Sequence, residues 1–262
     1  MEYCSLMSGS WGNCHYIRAG DTQIMIDAGQ SAKRIIGCLT AAGEDAGQTT
    51  AILLTHAHHD HIAGVGVLAR RFQLPVYATE GTWYEMRDIG GEIPPAARRV
   101  IDPEEKWRIG DLSLEAFPTV HDALESVGYV IRQGDKSLGV ATDCGVFTRR
   151  MERALANLSL LALEANHDSD MLRNGKYPYY LKKRVAGIHG HLSNADAAAG
   201  LLKVLGEATK KVMLAHLSQE NNTPEKALAA FDASLTGKGL TGDKRPAIWA
   251  APRYQPSAWL EV

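Results

Sequence analysis

Long apolar runs are missing from this chain: nothing in it approaches the ~18–20 consecutive residues that a bilayer-spanning helix requires. The opening Met1-Glu2-Tyr3-Cys4 also has neither the basic stretch nor the apolar run of a secretory signal, so a soluble cytoplasmic protein with no membrane partner is the expectation. Cysteine is scarce. Cys4, Cys14, Cys38 and Cys144 fall into no CxxC or ribbon-like spacing, which excludes a zinc ribbon and a disulfide scaffold and predicts reduced thiols. An excess of either charge is absent as well, with Lys+Arg 28 against Asp+Glu 30 and a formal net charge of −2. Any contact with nucleic acid must therefore come from a local basic patch. No low-complexity segment, fixed-period repeat or linker-like stretch interrupts the 262 residues, of which 45% are hydrophobic. One domain over 1–262 with a substantial core is expected.

What is present is an alternation of short apolar runs with helical patterns, the mark of an α/β chain. Tyr16-Ile17-Arg18 and Ile24-Met25-Ile26 read as a hairpin around Ala19-Gly20-Asp21. Before it, Ser8-Gly9-Ser10-Trp11-Gly12-Asn13 is a small-residue loop, either a plain tight turn or a segment that approaches a ligand closely. A helix is predicted over 31–42, a buried strand over 51–54, a helix over 62–72 and a strand over 75–78. Further strands fit 107–109, 112–117, 127–131, 137–142, 158–163 and 211–215. Helices fit 194–205, capped by Asn194, and the segment opening at Thr223-Pro224-Glu225.

Where the strand over 51–54 ends, the chain reads Thr55-His56-Ala57-His58-His59-Asp60-His61. Packing explains such a cluster poorly, because a core would have to satisfy each polar ring separately. Ligand chemistry explains the residues together: on a loop, His56 and His58 can share one metal while Asp60 and His61 turn toward a second. His59, between the pairs, is expected either to support the ligands from behind or to face solvent.

The HxHxDH pattern of His56, His58, Asp60 and His61 resembles the metallo-β-lactamase superfamily. The resemblance implies a four-layered αββα sandwich and three further ligands at strand ends, matched by His121, by Asp143 in Thr142-Asp143-Cys144-Gly145 and by His216. It implies two divalent metal ions, zinc or manganese. His56, His58 and His121 would hold one and Asp60, His61 and His216 the other, with Asp143 and a nucleophilic hydroxide bridging them. Cys144 beside the bridging carboxylate is either a metal thiolate or a packed small residue.

The segments 117–123, 163–168, 190–194 and 216–222, with Ser8 to Asn13, resemble the YycJ/WalJ-type DNA exonucleases within that superfamily. That likeness implies phosphodiester cleavage of DNA from a 5′ end. In tRNase Z enzymes, to which the chain is also similar, a Glu and a His stand where Glu164 and His191 do, and such a pair can protonate a leaving 3′-oxygen. Capping of a strand and of the next helix explains the same two residues. His167 and Asp168 share the Glu164 loop and are candidates to meet a bound phosphate. Between the motifs, 173–184 interleaves Tyr177, Tyr179 and Tyr180 with basic residues ending in Lys182, Lys183 and Arg184. This stretch is a wall for a nucleic-acid strand or a solvated helix face anchored by buried tyrosines. Two rival functions stay open. A thioester or lactone hydrolase would use the same hydroxide on a carbonyl, whereas a non-catalytic DNA-binding scaffold should have lost ligands, and none is missing.

Overall fold

Period-two apolar patterning carries the chain into two sheets, described by a computed structural model over residues 1–87 and 91–262. The first is built from β1 (Glu2–Met7), β2 (Cys14–Ala19), β3 (Thr22–Ile26), β4 (Ala51–Leu53), β5 (Val76–Ala78) and β6 (Arg98–Val100). The second contains β7 (Lys106–Ile109), β8 (Leu112–Pro118), β9 (Val127–Gln133), β10 (Lys136–Ala141), β11 (Leu160–Glu164), β12 (Lys211–Ala215) and β13 (Ala247–Ala250). The short β14 (Leu260–Glu261) returns to the first sheet. Strand orders are β14-β1-β2-β3-β4-β5-β6 and β13-β12-β11-β10-β9-β8-β7. In each sheet an antiparallel meander continues into parallel strands, at β3/β4 and at β10/β11. Parallel pairing requires crossovers, and helices supply most of them.

The helices are α1 (Ala32–Ala41), α2 (His59–Ile62), α3 (Val65–Phe72), α4 (Glu80–Met86), α5 (Arg149–Leu155), α6 (Ser169–Asn174), α7 (Tyr179–Val185), α8 (Asn194–Val204) and α9 (Pro224–Gly237). Ile35 and Leu39 of α1 and Leu68 of α3 bury against Met25, Ile52 and Val76 on the outer face of the first sheet. Leu155 of α5, Leu201 of α8 and Phe231 of α9 do the same against Val130, Leu161 and Leu214 of the second. Between the sheets, Ile17, Ile24 and Leu53 meet Leu114, Tyr129, Leu138 and Leu160. Each such side chain stabilises the fold by ~1.5–3 kcal/mol through burial. The layers are thus αββα, as expected. Among the described residues no helix is long and apolar enough to cross a membrane.

Three details depart from expectation. The helix predicted over 62–72 is two helices broken at Ala63-Gly64, because Gly64 donates to Ala28 O and a Cβ there would lie 2.3 Å from Gln30 O. Helix α8 is capped by Ser193, whose Oγ accepts from Asp196 N, while Asn194 is its buried first residue, paired with Asn222. Finally, β1, β6 and α4 were not foreseen, nor were α5, α6, β13 and β14. β1 lies in an almost wholly buried run without alternation, and the others are at most seven residues long.

Candidate metal centre

The chemistry-bearing residues converge on one edge of the sandwich because they follow the ends of neighbouring strands: Asp27 after β3, His56 after β4, His121 after β8, Asp143 after β10 and His216 after β12. Glu164 is the last residue of β11. This is where open α/β sheets place their sites. Asp27, Asp143 and His216 all adopt positive φ, at 63°, 57° and 55°. Such backbone costs free energy for a residue with a Cβ and persists only where its surroundings hold it. At His216 the clamps are visible: its N–H donates to Ser8 Oγ at 2.7 Å, and its carbonyl accepts from Asn166 Nδ2 at 3.0 Å.

Four groups of donor atoms, the atoms of each lying within 4.8 Å of one another, occupy the centre: His56, His58 and His121; Asp60, His61 and His216; His56, His61 and Asp143; and Asp143, Glu164, His191 and His216. Asp143 therefore sits between the two triads. Hydrogen bonds behind the rings fix which nitrogen faces inward. His121 Nδ1 donates to Gly190 O at 2.9 Å, and His61 Nδ1 donates to Asp27 Oδ2 at 2.7 Å. Thr55 Oγ1 gives its proton to Asp27 Oδ2 at 2.9 Å and so is free to accept from His56 Nδ1, also at 2.9 Å. His56 Nε2 is left buried with no hydrogen-bond partner. A bare imidazole nitrogen aimed into a ring of histidines and carboxylates fits a divalent cation, which takes nitrogen and oxygen donors together.

The electrostatics point the same way. Burial opposes charge on Asp143, but His216 and His61 hold its carboxyl well below the usual range. Burial likewise opposes the His216 imidazolium, and Asp143, Asp60 and Glu164 push it up to about 10. Concentrated carboxylate charge is balanced here by protons that a metal ion would displace.

Glu164 is fully buried and links several parts of the site. Its Oε1 accepts from His191 Nδ1 at 2.8 Å and from His216 Nδ1 at 3.1 Å, while its Oε2 accepts from the backbone N–H groups of Cys144 and Leu192. Capping of the following helix, the bland explanation for His191, falls to Ser193 instead. A cavity of about 220 Å³ opens onto Asp60, Asp143, His191 and His216. Its lining also includes Ser10, Ser218 and, from the α7 region, Tyr177, Leu181 and Arg184.

A family model described as a beta-lactamase superfamily domain matches residues 22–217. The chain is 36% identical over 240 residues to the Exodeoxyribonuclease YycJ of Bacillus anthracis, covering 92% of this chain and 91% of that one. It is 39% identical over 228 residues to the Exodeoxyribonuclease WalJ of Streptococcus pneumoniae serotype 2, covering 86% and 85%. The chain belongs to the beta-lactamase superfamily, in its YycJ/WalJ branch. The fold agrees: the metallo-beta-lactamase fold protein YhfI from Bacillus subtilis superposes with a TM-score of 0.73 at 15% identity, over 98% of both chains. Superfamily membership together with the His/Asp clusters makes this a protein that uses divalent metal.

Several candidates stand outside the superfamily site's donor groups. His59 is exposed, and Cys144 is a buried thiol in the apolar cluster beneath β10, which is the packed-residue alternative. Asp168 caps α6 by accepting from Met171 N and pairs with Lys226 at 3.3 Å; it has no contact with the centre. His167 is buried beside it in a bridge to Ser193. Of the basic trio, Arg184 reaches the cavity rim and pairs with Asp122 at 2.6 Å. Lys182 donates to Arg173 O, and Lys183 stands 4.7 Å from the ring centre of Tyr179. Tyr179 and Tyr180 are 71% and 74% exposed, so buried tyrosines do not anchor this face.

Sequence reading missed Asp27, Asn13 and Asp122. Asn13 donates from its backbone to Asp60 O at 2.8 Å, and its side-chain Nδ2 stands 3.1 Å from His61 Nε2. Asp122 lies 3.3 Å from His121 Nε2 and 3.6 Å from His58 Nε2. Asp27 did carry a signal, since Ile26-Asp27-Ala28-Gly29 sets a carboxylate between a strand and a glycine. That glycine is required by close approach: a Cβ on Gly29 would fall 1.7 Å from Asp60 O. Asn13 and Asp122 lie in the segments 8–13 and 117–123, which carried a family likeness but gave neither residue a role.

Proposed function

We propose that this superfamily member is a dinuclear metal-dependent phosphodiesterase that removes nucleotides from DNA in the 5′-to-3′ direction. The observation that carries the reading is the likeness, across 86–92% of the chain, to two proteins each named an exodeoxyribonuclease. The thioester or lactone alternative has no comparable support. We further take residues 1–262 to act as one domain in the cytoplasm, in keeping with four free buried thiols.

His56, His58 and His121 would hold one ion, Asp60, His61 and His216 the other, and Asp143 would contact both. When bound, zinc or manganese lowers the pKa of water toward neutrality and neutralises charge on phosphate oxygens. The Asp60 and Asp143 carboxylates orient the attacking water. His191 is the general acid in this reading: Glu164 holds its Nδ1, so Nε2 is the atom that carries a proton to the leaving 3′-oxygen. Helix α7 supports the strand-binding role, because its exposed tyrosines and Lys183 present ring faces and charge beside a cavity that Arg184 borders. The test is digestion of DNA labelled at one end and bearing defined 5′ chemistry by the metal-loaded protein, beside a thioester substrate. Mononucleotides released in order from the 5′ end are expected. Thioester turnover without DNA cleavage would overturn the proposal.

A further inference from the structure

The loop from Ser8 to Asn13 meets the cavity through bonds to His216 and Asp60, whereas Arg184 of α7 meets it through Asp122 beside His58, and next to that loop two aromatic residues stand exposed. Trp11 is 48% exposed and Tyr254 is 43% exposed, and their rings meet edge to face with centres 5.3 Å apart. Each is one residue removed from the cavity wall. Trp11 follows Ser10, which lines the cavity with Asp60, and its own carbonyl accepts from Gln30 Nε2. Tyr254 OH donates to Gln219 Oε1 at 3.1 Å, and the neighbouring Arg253 donates to Ser218 O at 3.2 Å; Ser218 also lines the cavity. The loop carrying Trp11 is rigid, because Gly9 and Asn13 bond to each other and Asn13 is bonded to Asp60 O.

The surroundings are cationic. Arg34 lies 5.7 Å from the Trp11 ring centre and donates to Tyr254 O, and Arg253 lies 5.9 Å from the ring centre of Tyr254. Beyond them a cavity of about 580 Å³ is lined by Lys33, Arg34, Cys38, Tyr254 and Pro256 among others, with no carboxylate in its wall. Lys33 makes no hydrogen bond or ion pair among the described residues. Rings whose purpose was to close the C-terminal segment onto the loop would be buried. These rings leave their surface in water beside fixed positive charge, one residue from the cavity wall. Stacking platforms flanked by arginine and lysine are how proteins hold unpaired nucleotides without reading their sequence.

We infer that Trp11 and Tyr254, with Lys33, Arg34 and Arg253, form a stacking shelf for an unpaired base of the DNA strand, on the far side of the scissile phosphate from α7. The inference rests on the nuclease reading above. It gives the protein a grip on both sides of the cut and so a preference for ends that are single-stranded across the site.

The test is a cycle pairing Trp11→Ala with an abasic nucleotide moved stepwise along end-labelled DNA, using KM for the metal-loaded full chain. Trp11→Ala on intact DNA should raise KM roughly 5- to 100-fold, the loss of one stacked base. At one abasic position the same substitution should cost nothing further, and Trp11→Phe should restore most of the loss. A thermal melt reports any loss of folding separately, and Tyr254→Ala repeats the cycle from the second ring. If Trp11→Ala and every abasic position act additively, or Trp11→Ala leaves KM unchanged, the shelf is overturned while DNA cleavage by wild type stands. If wild type cuts no DNA, the nuclease reading itself fails.

Discussion

The buried carboxylate of Asp27 should control both metal positions without touching either. It accepts from Thr55 N on Oδ1 at 2.8 Å, and from Thr55 Oγ1 and His61 Nδ1 on Oδ2 at 2.9 and 2.7 Å. Asp27→Asn preserves shape and the first acceptor but replaces Oδ2 with an NH₂ facing two donors. His61 can relieve the conflict only by accepting at Nδ1, which moves its proton to Nε2 and blocks the nitrogen that faces Asp143 at 3.2 Å. Thr55 Oγ1, deprived of its acceptor, turns its proton toward His56 Nδ1, and His56 Nε2 is protonated in the same way. His56 belongs to one triad and His61 to the other, so both ions lose a donor. Loss of an orienting partner behind a ligand typically weakens metal affinity ~10–100-fold, or about 1.4–2.7 kcal/mol per site.

Asp27→Ala is the less informative change. It strands buried donors at ~1–3 kcal/mol each and endangers folding itself. The assay is competition for zinc and for manganese against a chromogenic chelator, with the metal-free melt as a control for stability. Two equivalents bound by Asp27→Asn with wild-type affinity would refute the tautomer argument. Loss of one equivalent alone would confine the relay to His61.

Asp143→Ala should abolish hydrolysis and weaken at least one ion, because its carboxylate lies between both triads; near-wild-type turnover with two metals bound would contradict its bridging role. His121→Ala and His216→Ala should each leave a different equivalent tightly held, and metal-specific spectroscopy showing the same site lost in both would reject the two-triad grouping. Neutralising Lys182, Lys183 and Arg184 together should weaken DNA cleavage and flatten its salt dependence, by ~0.7–0.9 in the log–log slope per lost phosphate contact. Most of that change should come from Lys183, since Lys182 and Arg184 already bond to Arg173 O and Asp122. An unchanged slope would make α7 a solvated face.

Much of the architecture was legible because the strands that build the sandwich centre obey simple patterns. The hairpin of β2 and β3 and the meander from β7 to β10 fall on β-prone runs set off mostly by glycine or aspartate, and the buried β11 and β12 are short apolar runs. What escaped has a physical cause in each case. β1 lies in a run buried on nearly every residue, so neither alternation nor helical period marks it. β6 is exposed along its whole length and exists because β5 offers it an edge. The break between α2 and α3 reflects the backbone of residues 28–30 pressing on Gly64, a contact made across more than thirty positions of sequence.

The site divides along a similar line. Residues that face the centre must be histidine or carboxylate at strand ends, and crowding of those types into His56 to His61 is improbable unless they act together. Residues that aim them are under no such restriction. His121 is oriented by the carbonyl of Gly190, which any residue could supply, and His56 by a threonine hydroxyl whose direction depends on Asp27, a residue 28 positions from that threonine in sequence. Positive φ at Asp27, Asp143 and His216 is equally silent in the sequence, because nothing in an aspartate or a histidine announces that its backbone is turned. The donor set can therefore be read from composition and order, whereas the protonation pattern that makes those donors usable is a property of the tertiary fold.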